Sequence, residues 1–178
     1  MPRASPSPTP DIVLRVDDLS GAQTRNMLRL HLEGMHANSP PGRVFALDLS
    51  GLLGPAMTVW SAWCDETIAG IGALKALPGN HAAIRKGEIR QGEIKSMRTH
   101  PQFLRRGVAA ALLERIIGEA RARGMTRLSL ETGSGPAFDP ALALYFRRGF
   151  VEGEAFGDYV RSGFNRFLHL DLANRAGA

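Results

Sequence analysis

The sequence predicts a mixed α/β domain, with an antiparallel front half and a strand–helix–strand unit behind it. Three observations carry this prediction. Two apolar runs, MTVWSAWC (57–64) and TIAGIGALKAL (67–77), are separated only by Asp65 and Glu66, a hairpin-length link. From Val108 to Arg123, the residues Val108, Leu112, Leu113, Ile116, Ile117 and Ala120 recur on one face at helical spacing. That helix is flanked by two strand-like segments, EIRQGEIKSMRT (88–99) and MTRLSLET (125–132).

The other elements follow in chain order. DIVLRV (11–16) reads as a first strand, and SGAQTRNMLRLHLEGMHA (20–37) as a helix broken by NSPPGR. Residues 44–56 are Leu-rich and punctuated by Gly, which suits a short helix, and PGNHAAIRKG (78–87) reads as a loop. Gly124 closes the helix that begins at Val108. DPALALYFRRG (139–149) reads as a helix capped by Asp139, with Pro140 at its first position and Gly149 at its end. FVEGEAF and FNRFLHLDL (164–172) are two closing strands. Gly-Glu-Ile recurs within GEIRQGEI from Gly87, a repeat too short to be architectural.

A chain of 178 residues, 44% of them hydrophobic, suits one folded domain. We place that domain at 11–178, after a Pro- and Ser-rich disordered leader at 1–10. The leader lacks the apolar core of a signal peptide, and no apolar run reaches the length of a membrane span. The single cysteine, Cys64, excludes an internal disulfide and points to the cytoplasm. It follows Trp63 on an apolar strand and reads as a buried, inert thiol. Trp60 and Trp63 fall on opposite strand faces, one facing the core and the other bordering a binding site.

The net charge of +5 fits either nucleic acid or a small polyanion. The basic residues are scattered, with doublets at Arg105–Arg106 and Arg147–Arg148, and form no aromatic-rich stripe. Nucleic acid is therefore not expected as a partner, and a nucleic-acid-associated protein is kept only as a competing reading. The five histidines, His31, His36, His81, His100 and His169, have no zinc spacing and no Cys partners, so no metal is expected.

The stretch THPQFLRRGVAAALLERI (99–116) carries the chemistry. Its helix opens without a Ser, Thr, Asp or Asn cap, on positive charge and small residues. A helix start leaves several N–H groups unpaired and carries a partial positive charge. Arg105, Arg106, Gly107, Val108, Ala109 and Ala110 supply successive donors with little side-chain bulk, a cradle for a pyrophosphate. Two other phosphate motifs are excluded. No Walker loop is present, and TGSGPAF (132–138) offers only G-x-G before Pro136.

Strand EIKSMRT, turn HPQFLRRGVA, helix AALLERIIGEARARG, strand TRLSLET and the segment ALALYFRRGF together resemble the central motifs of the GNAT superfamily of acetyl-CoA-dependent N-acetyltransferases. That family's loop reads Q/R-x-x-G-x-G/A. Here it is Leu104-Arg105-Arg106-Gly107-Val108-Ala109, with Leu replacing the first polar residue. A second signature, A-x-x-L-Y-x-x-x-G-F, is matched by Ala141, Leu144, Tyr145, Gly149 and Phe150. The resemblance spans residues 57–172, while the first 56 fit in element order only.

The resemblance implies a mixed, mostly antiparallel sheet of six to seven strands flanked by about four helices. It implies transfer of acetyl from acetyl-CoA to a primary amine of a small molecule or peptide by direct attack, without a metal, in a homodimer. Met97, Arg98 and Thr99 would lie along the pantetheine and acetyl groups, with a main-chain N–H near Met97 facing the thioester oxygen. Residues 105–110 would hold the pyrophosphate. Tyr145 would be the acid for the leaving thiol. Glu93, four residues before Met97, would be the base, sharing a strand face with Lys95 and Met97 if alternation is regular. Its competing structural role is a salt bridge to Lys95. Glu131 is the rival base, and a water relay is a third route. His31, with Met27 and Met35, would line the acceptor pocket. The non-enzymatic alternative is an acyl-CoA-binding sensor that keeps the cradle without turnover.

Overall fold

A computed structural model of the chain describes residues 11–78 and 90–172. The leader at 1–10, most of the loop at 78–87, His81 and the start of the Gly-Glu-Ile repeat lie outside the described residues. The chain runs β1 (Ile12–Val16), α1 (Ala22–Asn38), the one-turn α2 (Leu49–Leu52), β2 (Met57–Cys64), β3 (Thr67–Ala76) and β4 (Gln91–Thr99). A 3-10 turn at Pro101–Phe103 leads into α3 (Val108–Ala122), followed by β5 (Arg127–Thr132), α4 (Asp139–Arg147), β6 (Val151–Glu152) and β7 (Arg166–Asp171). The seven strands form one sheet in the order β1-β2-β3-β4-β5-β7-β6. Every pairing is antiparallel except β4 with β5, which α3 connects as a parallel crossover.

The helices cover the two faces of this sheet. The predicted apolar stripe of α3, from Val108 to Ala120, is fully buried. It packs with Trp60, Leu74, Ile94, Leu128, Leu130 and Leu168. On the opposite face, Met27 and Leu28 of α1 pack with Val59, Ile68, Ile71 and Ala73. Trp60 and Trp63 do sit in these opposite layers. Neither lines the large cavity described below, so the expectation that one borders a binding site is corrected: Trp63 is held at the sheet's far side by Arg15 and Ser61.

Two local expectations also change. Asp139 lies inside the first turn of α4 rather than capping it; the N-cap is Phe138, with no side-chain cap bond. Burial decides this. Phe138 is inside the core, edge-on to Phe164 at 5.6 Å. The strand predicted over FVEGEAF shrinks to Val151–Glu152. After Gly153 the chain leaves the sheet so that Phe156 can bury against Phe167 and His169, with ring centroids 6.0 and 5.7 Å away.

The feature that shapes the site is a bulge in β4. Ile71 pairs with Arg98 but Ala73 with Lys95, so the register slips, and Ser96 holds a left-handed φ of 55°. Strict alternation would put Met97 beside Glu93 and Lys95. The bulge turns it to the α3 face instead, where its sulfur takes the space a Cβ on Gly72 would fill, 2.6 Å away. Arg98 is turned the other way, onto the α1 face, alongside Gly34. The shared face predicted for Glu93, Lys95 and Met97 therefore holds only for the first two.

Candidate active site

The parallel pairing of β4 and β5 covers only Gln91–Glu93 against Arg127–Ser129. Beyond it the two strands part. The β5-facing edge of β4 from Ile94 to Thr99 has no strand partner, so its main-chain groups are open to an extended ligand. The gap is the floor of a cavity of about 630 Å³. Its rim is built from the start of α3, from α4, from the C-terminal end of β5 and from the second half of α1.

At the α3 end, Gly107 is the N-cap at φ 85°, ψ 0°, and Arg105 is also left-handed at φ 60°. Two left-handed residues in three turn successive amides to one side, the arrangement of an anion nest. Among the described residues, no N–H from Arg105 to Ala110 donates to a protein group; the first to do so is Ala111, to the Gly107 carbonyl at 2.9 Å. Arg105, Gly107, Val108, Ala109 and Ala110 line the cavity. Arg106 does not; its guanidinium lies over the Phe103 ring at 5.5 Å. Such a row of free donors fits a pyrophosphate, and the open edge of β4 beside it fits the amide-bearing arm of a coenzyme A thioester.

Met97, Arg98 and Thr99 all line the cavity from β4. Tyr145 lines it from α4, with its ring edge-on to Phe150 at 5.6 Å. Its hydroxyl has no protein hydrogen-bond partner among the described residues, and burial pushes its pKa well above the usual phenol value. Glu131 lines it from the end of β5. Burial raises its carboxyl to about 7, opposed by the charge of Lys95 and reinforced by that of Glu93.

Glu93 is placed differently. It is 2% exposed, does not line the cavity, and is tied on both sides. The Lys95 ammonium stands 3.2 Å from its Oε1, and the Tyr159 hydroxyl donates to the same oxygen at 2.5 Å. Lys95 also donates to the Tyr159 hydroxyl at 2.7 Å and to the Phe45 carbonyl at 3.1 Å. Tyr159 rests edge-on against Phe45 and Phe156, each at 5.2 Å. Burial and the neighbouring Glu93 charge drive its phenol upward, so it stays a donor. Sequence reasoning missed Tyr159. The residue sits in an irregular loop 66 positions from Glu93. Its only signal was an aromatic amid the polar stretch GDYVRSG.

The end of the cavity opposite α3 is closed by α1. His31 and Met35 line it, whereas Met27, expected beside them, is fully buried in the core. Burial, with Arg98 and Lys95 nearby, lowers the His31 imidazole to about 4, so it is neutral at pH 7. Among the described residues, no three His, Cys, Asp or Glu side chains are grouped to hold a metal.

Residues 24–150 match the family model described as Acetyltransferase (GNAT) family. The chain is 47% identical over 159 residues to the Bacillus subtilis (strain 168) protein named Uncharacterized N-acetyltransferase YsnE, covering 89% of this chain and 99% of that one. It is 42% identical over 159 residues to the Escherichia coli (strain K12) protein named Uncharacterized N-acetyltransferase YedL, covering 89% and 94%. In fold it is similar to a GNAT family acetyltransferase from Elizabethkingia anophelis solved with acetyl-CoA bound. The TM-score is 0.62 at 16% identity, covering 90% of this chain and 97% of that one. By the family model and these two relatives the chain belongs to the acetyltransferase (GNAT) family, and is an N-acetyltransferase with acetyl-CoA as cosubstrate.

Proposed function

We propose that the enzyme acetylates a primary amine of a small molecule or peptide by direct attack, with Glu131 as base and Tyr145 as donor to the leaving sulfur. The observation that carries this is the convergence of three features on one cavity: unpaired amides, a near-neutral carboxyl and an unpartnered phenol. In this reading the amides of residues 105–110 bind the pyrophosphate, with Arg106 contributing only flanking charge. The unpaired edge at Met97, Arg98 and Thr99 aligns the acyl arm. A main-chain N–H near Met97 meets the charge that develops on the thioester oxygen. As the amine nitrogen bonds to the acyl carbon and the carbon–sulfur bond breaks, Glu131 takes the amine proton and the Tyr145 hydroxyl faces the departing thiolate.

Glu93 is the base that the resemblance to the family puts first. Its ties to Lys95 and Tyr159 favour a positioning role, holding Lys95 and the loop over the acceptor end. Full proton transfer from a phenol to a thiolate is uphill by about 2 kcal/mol from ordinary values, and burial of Tyr145 steepens it. Tyr145 therefore acts by hydrogen bonding to the sulfur. Tyr145→Phe should lower kcat about 30-fold while the KM for acetyl-CoA stays within about 2-fold, because the lost bond forms only as charge develops. Steady-state kinetics check both values.

The test of the whole reading is thiol release from acetyl-CoA across a panel of amines. Acceleration by primary amines supports it, and bound acetyl-CoA without amine-dependent release overturns it. A cytoplasmic homodimer completes the proposal, carried over from similarity to the family; light scattering checks the assembly.

A further inference from the structure

On the α1 side of the cavity lies a cation, Arg98, that no described residue neutralises. Arg98 is turned onto the α1 face by the bulge, and its guanidinium lies against Gly34 in the middle of α1. A Cβ at Gly34 would stand 2.9 Å from one terminal nitrogen of Arg98 and 3.4 Å from the other. Glycine inside a helix is destabilising by about 1 kcal/mol relative to alanine. At this position it leaves the seat for the guanidinium.

Among the described residues Arg98 forms no ion pair, and its Nε is buried without a hydrogen-bond partner. The neighbouring charges are already committed or neutral. Lys95 is held by Glu93, and His31 carries no charge at pH 7. Glu131 forms no ion pair with Arg98 among the described residues. The cavity thus presents a free guanidinium fork on the α1 side and a carboxyl at the end of β5. A buried donor left unpaired is costly, and a planar fork matches a carboxylate oxygen pair better than any neutral group.

We infer that the acceptor is an amine that also bears a carboxylate, an amino-acid-like molecule, and that the Arg98 guanidinium seated against Gly34 binds that carboxylate while the amine faces Glu131. This rests on the acetyl-transfer reading above and names its substrate class. Carboxylate recognition is a side-chain role, separate from the main-chain part of Arg98 in aligning the acyl arm.

The experiment compares kcat/KM for free amino acids, their carboxamides and their decarboxylated amines by thiol release. The wild-type enzyme should prefer the acid over the matching carboxamide about 30-fold. In Arg98→Met that ratio should fall to near 1. Gly34→Ala should cut the ratio several-fold by displacing the guanidinium, while the melting temperature holds or rises because alanine favours the helix. The idea is overturned by a wild-type ratio near 1, by a preference for neutral amines, or by Arg98→Met lowering acids and carboxamides alike. If no amine of any kind releases thiol, the acetyl-transfer reading itself has failed. Active amines without acid preference defeat only the inference about Arg98.

Discussion

Glu131→Gln is expected to lower kcat/KM for the acceptor by roughly 100- to 1,000-fold and to erase the acidic limb of its pH profile. The base must be deprotonated to act. With the Glu131 carboxyl raised to about 7 by burial, wild-type activity should climb as pH rises through 7. Glutamine has nearly the same shape and cannot titrate, so whatever activity remains should lose that inflection. A pH–rate series from 5 to 9 on both proteins reads this directly. An acidic limb unchanged in Glu131→Gln would return the role to Glu93 or to water.

The same carboxyl predicts a stability signature. Its folded pKa is raised above the ordinary 4.5, so folding favours the protonated form. That contribution is full below pH 4.5 and is lost as pH rises through 7, at most about 3 kcal/mol across the window. Glu131→Gln should therefore lose less stability than the wild type between pH 5 and 8 in chemical denaturation. A loss equal to the wild type's would mean the carboxyl is not held in a desolvated place.

The contrast between Glu93 and Glu131 shows what local sequence conveys and what it leaves out. The stripe from Val108 to Ala120 was legible because helix periodicity is a property of neighbours in the chain. So were the bounds of β2 and the small residues at the start of α3, which depend on local conformation and bulk. The direction of side chains on β4 was not. It depends on one left-handed residue, and Ser96 is no Gly or Asn that would announce it. Past Ser96 every side chain changes face, which moves Met97 to the α3 side and brings Arg98 to the α1 side. The state of Glu93 was equally hidden. The Lys95 half of its pairing was within reach, two residues along the strand, but the Tyr159 half arrives from a distant loop. Glu131 gains its raised pKa from burial that several elements create together. Its chemistry is a tertiary property.

Gly107→Val should weaken coenzyme A binding about 100-fold, and Arg106→Ala by no more than about 3-fold. The ranking follows from backbone geometry. Nothing lies within 4 Å of where a Cβ on Gly107 would be, so bulk is not the obstacle. The obstacle is φ 85°, a conformation that costs a β-branched residue up to about 3 kcal/mol. Valine relieves that strain by rotating the 106–108 peptides, which swings the free amides out of the nest. Binding must then restore the strained form, and 3 kcal/mol corresponds to about two decades in Kd. Arg106 has its guanidinium over Phe103 and outside the cavity, so its removal takes away only screened charge. Calorimetry with coenzyme A, paired with a melting curve of each free variant, measures both. An Arg106→Ala loss larger than that of Gly107→Val would mean side-chain charge rather than aligned amides holds the pyrophosphate.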